Sequence, residues 1–122
     1  RSRHVHDVLL VPITTIDPAH CWRMALAWSM PPREARNIAA PRPLLDALAS
    51  APDGLVITSL GAAGNRWRLR VFEARGKAAR WSLPRGLAAE KRDFAGRPSG
   101  ETADKLAFAP CEACDVWLTQ DD

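Results

Sequence analysis

The sequence predicts an α+β fold: one domain with a mainly antiparallel sheet, a meander hairpin, and two or three helices packed on one face. Three observations lead there. Residues 66–74 alternate apolar and charged side chains with the period of a strand. Asp17-Pro18 opens a segment of helical length. From residue 55 onward the chain reads mostly as strand. A chain of 122 residues is the length of one domain, so residues 1–122 are taken as one unit. The first residue is Arg1 rather than methionine, which leaves room for a longer precursor and for a signal peptide already removed. The compartment is therefore open, with the cytoplasm favoured and export the alternative.

Taken in order, the polar stretch Arg1 to Asp7 precedes Val8-Leu-Leu-Val-Pro-Ile13, a continuous apolar run that reads as a buried strand ending near Pro12. Asp17 then supplies an N-cap and Pro18 a proline at the first helical position. That helix is expected to run to about Met30, where Pro31 and Pro32 stop it. Trp22, Ala25, Leu26, Ser29 and Met30 share one face, and Cys21, Met24 and Trp28 widen the apolar arc. An arc that broad points to a central core helix, or to a surface shared with another chain.

Residues 31–43 carry four prolines around a helical turn at 33–38. A second helix is expected over 43–49, with Leu44, Leu45 and Leu48 inward, closed by the Pro52-Asp53-Gly54 turn. Leu55 to Leu60 reads as a strand and Gly61 to Asn65 as its connection to the strand at 66–74. Arg75-Gly76-Lys77 has the form of a three-residue hairpin loop, with 78–83 as the returning strand. With Gly76 at the centre, Trp81 would face Val71, Leu83 would face Leu69, Arg80 would face Phe72 and Ser82 would face Arg70. Trp67, Leu69, Val71, Trp81 and Leu83 then share one side, and Arg66, Arg68, Arg70 and Arg80 the other. Leu87 to Phe94 reads as a short helix ended by Gly96, Arg97 to Gly100 as loop, and Asp115 to Thr119 as a last strand. Thr102 to Phe108 carries no decisive pattern.

The formal net charge is +3, but it is unevenly spread. Residues 66–98 carry ten basic and three acidic side chains, a balance of +7, whereas residues 99–122 carry one Lys and six acids, a balance of −5. The basic residues are 14 Arg and 3 Lys, a bias that GC-rich coding of the kind common in bacteria produces without selection for guanidinium chemistry. A row made of Arg66, Arg68, Arg70 and Arg80, with Lys77 at the loop and Phe72 as a stacking ring, would nevertheless attract an acidic protein or a nucleic acid. The same row serves equally as the solvated side of a sheet, or as the counter-charge for the acidic tail.

Cys111-Glu-Ala-Cys114 has the spacing of a metal or redox pair, and Cys21 is the third thiol. A zinc site would need further ligands. His20 with Cys21, or His4 with His6, would supply them if the chain ends meet. The chain has no G-x-S-x-G elbow, phosphate-binding loop, H-E-x-x-H or dinucleotide fingerprint, which turns the expectation away from an enzyme. No stretch reaches the roughly 18 apolar residues of a transmembrane helix. The function expected is a small soluble interaction or adaptor module that binds a protein partner through the basic sheet face or the broad apolar helix surface. Nucleic-acid binding by the same arginines, and a zinc or thiol-redox protein built on Cys111 and Cys114, are the alternatives.

Overall fold

Among the described residues two helices and six strands form in the order α1 (Pro18–Ser29), α2 (Arg42–Ser50), β1 (Leu55–Ala63), β2 (Arg66–Glu73), β3 (Ala79–Ser82), β4 (Leu87–Arg92), β5 (Lys105–Phe108) and β6 (Ala113–Gln120). They come from a computed structural model that describes residues 8, 10–29, 41–100 and 102–120. The polar opening with His4 and His6, the turn at 33–38 and the helix end at Met30 lie outside the described residues. All pairings are antiparallel: β1, β2, β6 and β4 make one sheet in that order, and β3 with β5 makes a separate two-stranded ribbon.

The α+β class and the antiparallel sheet agree with the sequence; the predicted hairpin does not form. β2 has β1 on one side and β6 on the other, and residues 79–82 pair with 105–108 instead. The cause lies at Glu73, which is 1% exposed. Its carboxylate accepts the backbone N–H groups of Arg75 (2.8 Å), Gly76 (2.8 Å) and Lys77 (3.1 Å), and that of Cys111 at 2.9 Å. The loop is thereby wrapped around a charge, with Gly76 in the left-handed region at φ +70°. The chain then leaves the plane of the sheet instead of folding back along β2.

Trp81 still reaches the core, but from a second layer. Leu69 and Val71 of β2, Cys114, Val116 and Leu118 of β6, and Leu87 and Ala89 of β4 form one wall. Opposite them stand Leu44 and Ala47 of α2, Trp81, and Leu106 and Phe108 of β5. The indole N–H of Trp81 donates to Ser50 Oγ at 2.9 Å, which ties the ribbon to α2.

Four further expectations are corrected. Residues 87–92 are a strand rather than a helix: Leu87 and Ala89 bury while Ala88 and Glu90 alternate with them, so pairing with β6 overrides the helix preference of an Ala- and Glu-rich segment. The connection after residue 60 is shorter than predicted, because Ala63 pairs with Arg66 and only Gly64 and Asn65 turn the chain. Leu45 of α2 is exposed, since Leu44 and Ala47 already fill the side facing the core. The described residues of the 8–13 run form no strand; Val8 and Leu10 are 76% and 88% exposed, so the apolar run is not buried as a strand would be.

α1 begins where the sequence placed it. Asp17 Oδ1 accepts the Ala19 N–H at 3.1 Å, and the same carboxylate holds Arg75 at two points, 2.7 and 3.0 Å. The helix is not central. Only Ala19 is buried along it. Trp22 packs edge-on against Phe72, with ring centroids 5.2 Å apart, and Phe72 is the cross-strand partner of Val56. Leu55, Ile57, Leu69 and Val71 belong to the opposite, core side. α1 and α2 thus lie on different faces of the sheet, not on one face.

Candidate functional site

Two surfaces carry the features that the sequence singled out: the charged side of the four-stranded sheet, and the outer side of α1.

On the charged side, β2 presents Arg66, Arg68, Arg70 and Phe72. The neighbouring strand β6 sets Trp117 opposite Arg68 and Asp115 opposite Arg70, while β4 sets Glu90 opposite Trp117 and Arg92 opposite Asp115. Arg70 therefore forks onto the Asp115 carboxylate at 2.9 and 3.3 Å and lies over the Phe94 ring at 4.5 Å. Its hydrogen bonds to Asp115 raise the Arg70 pKa further above its ordinary value. Arg66 and Arg92 both lie over the Trp117 ring, at 4.8 and 4.9 Å, and both reach Glu90, at 3.8 and 3.0 Å. The last acidic stretch of the chain neutralises part of the basic one, through Arg70 with Asp115 and Lys91 with Glu112.

That leaves the predicted row divided. Arg68 is exposed and makes no ion pair among the described residues. Phe72 is half-covered by Trp22 and is no free stacking platform. Lys77 lies on the loop around Glu73, its backbone N–H bound to that carboxylate. Arg80 stands on β3, which turns Trp81 into the core from the opposite layer. It does not face Phe72 and does not extend the row, because its strand never pairs with β2. The residues that complete the charged face, Glu90, Arg92, Phe94, Asp115 and Trp117, escaped the sequence reading. The alternation Asp115-Val-Trp117-Leu118 was visible, but which strand it would lie against was not.

The outer side of α1 is apolar. Cys21, Met24, Ala25 and Trp28 line a groove of about 480 Å³ together with Val11 and Ile13 from the segment before the helix. Trp28 is 54% exposed and Trp22, on the flank of the same helix, 49%. Arg23 anchors the helix to the sheet edge by donating to the Leu55 carbonyl at 3.0 Å.

The four metal candidates are dispersed. Cys21 lines the α1 groove and His20 is exposed on the same helix. Cys114 is buried in the core, and that burial pushes its thiol up to about 11. Cys111 is exposed at φ +60°, a left-handed position, and its N–H serves Glu73. All three thiols are free, and no three His, Cys, Asp or Glu side chains among the described residues gather as a metal site.

No family model, no curated protein and no solved structure matches this chain.

Proposed function

We propose that the chain is a protein-interaction module that docks its partner on the apolar face of α1. The observation that carries this reading is the groove built by Val11, Ile13, Cys21, Met24 and Trp28. A half-exposed tryptophan beside exposed β-branched side chains is costly to leave in water, and such patches mark contact surfaces. Tryptophan is also the side chain most enriched among the residues that dominate binding energy. The partner chemistry that fits is an apolar side-chain ridge, such as one face of an amphipathic helix.

A second reading rests on Arg68, which is exposed, lies opposite Trp117 and has no ion pair among the described residues, and suits an acidic protein or a nucleic-acid backbone. Capture by the immobilised chain separates the two. Under the first reading a partner retained by the native chain is lost with Trp28→Asp and kept with Arg68→Glu. The reverse pattern, with binding that weakens steeply as salt rises, would move the site to the charged face.

A further inference from the structure

We propose that the outward face of the β3–β5 ribbon binds a phosphate group, held between Arg80 and Lys105 with the Ser82 hydroxyl as a third donor. This site is separate from the α1 groove and does not depend on it. Trp81, Leu106 and Phe108 bury on the inner side of the ribbon, so the alternate residues Arg80, Ser82, Lys105 and Ala107 point outward. Ser82 pairs with Lys105 and Arg80 with Ala107. Arg80 and Lys105 are therefore diagonal neighbours, about 7–8 Å apart at the backbone, within reach of one another's long side chains. The small Ala107 opposite Arg80 leaves a depression of about 350 Å³, lined by Arg80, Ser82, Lys105, Leu106 and Ala107.

The polar side chains lining that depression are all capable donors: a guanidinium fork, an ammonium and a hydroxyl. Among the described residues no carboxylate lines it. This contrasts with the four-stranded sheet, where Arg66, Arg70, Lys91 and Arg92 each meet an acid. Arg80 and Lys105 make no ion pair among the described residues. Two cations on adjacent strands that have no ion-pair partner among the described residues repel one another, and a bound anion converts that repulsion into two attractions. Among anions, phosphate offers tetrahedral oxygens that accept a guanidinium fork and an ammonium together. A second depression on the far side of Lys105 lacks this character, because Lys91 there is already held by Glu112 and the Ala107 carbonyl.

The test is an amide ¹H–¹⁵N titration of the whole chain with inorganic phosphate at fixed ionic strength, with chloride as the control and O-phosphoserine as a parallel arm. The expected result is saturable shifts confined to residues 79–83 and 104–108, absent with chloride. The Arg80→Gln/Lys105→Gln double variant should bind roughly tenfold more weakly or worse, with the rest of its spectrum unchanged. Ser82→Ala is expected to weaken binding less. Tighter binding of O-phosphoserine would identify a phosphorylated chain as the source, and equal binding the free anion. Shifts that chloride reproduces, or that persist undiminished in the double variant, would overturn the proposal.

Discussion

Replacing Trp81 tests the two-layer arrangement, because this side chain is where the ribbon, the sheet and α2 meet. It is fully buried, and its indole N–H reaches Ser50 Oγ at 2.9 Å. Trp81→Ala removes the largest buried side chain of the core and leaves a cavity, at a cost of about 3–5 kcal/mol. A domain of this size has roughly 5–15 kcal/mol in all, so the variant should lose at least about a fifth of its stability and, at the low end of that range, nearly all of it. Trp81→Phe is milder. Ser50 is exposed and recovers its bond from water, leaving mainly the smaller ring and a hydrogen bond of about 1 kcal/mol. Urea unfolding followed by far-UV circular dichroism measures both. Combining Trp81→Phe with Ser50→Ala isolates the bond, with an expected coupling of about 0.5–1.5 kcal/mol. A Trp81→Ala cost below about 1 kcal/mol, or strictly additive Ser50 and Trp81 effects, would refute the placement of β3 across the core from β2 and beside α2.

Other consequences concern single groups. The four N–H donors around Glu73 hold its carboxyl below its ordinary value of 4.5, so its stabilising effect is complete above that pH and is lost as pH falls through the lowered value. Glu73→Gln should therefore flatten part of the acid limb of the Tm profile and lower Tm at pH 7. Arg75 and the Ala19 N–H lower the Asp17 pKa from 3.8 to about 2. Asp17→Asn should accordingly remove a contribution that the native chain keeps above pH 4 and loses between pH 4 and 2, read from the same pH series of melts. At pH 8, exposed Cys111 should react quickly with an aromatic disulfide reagent. Buried Cys114, with a thiol near 11, should react only at the rate of unfolding, and equal rates would show that the β6 register is wrong.

What could be read in the sequence follows the range of the interactions responsible. The start of α1 was legible because Asp17 and Pro18 act on the turn they begin. The alternation of β2 was legible because it is fixed by which side chains share a face, and Leu69 and Val71 do bury while Arg68 and Arg70 do not. The partner of β2 was not, because it depends on Glu73 finding the Cys111 N–H, 38 positions away. A glutamate at the end of an alternating strand looks like one more polar residue until the loops that surround it are known. β4 was misread for a related reason: Leu-Ala-Ala-Glu-Lys-Arg prefers a helix by itself, and only the empty edge of β6 makes it a strand. The charged face shows both effects at once. Its arginines were visible as a row, yet the acids and rings that hold them belong to strands distant in sequence, so Arg66 and Arg70 are structural pairs and, of the three arginines on β2, Arg68 is the one without an ion pair among the described residues.

The central claim is that α1, rather than the arginine face, meets the partner. The most direct measurement places a photoactivatable crosslinking residue at position 28 in one version of the chain and at position 68 in another, and compares the adducts formed in cell extract. Docking on α1 predicts a discrete protein adduct from position 28 that an excess of unlabelled native chain competes away, and none from position 68. An adduct from position 68 with none from position 28 would contradict the claim and transfer the binding surface to the charged side of the sheet.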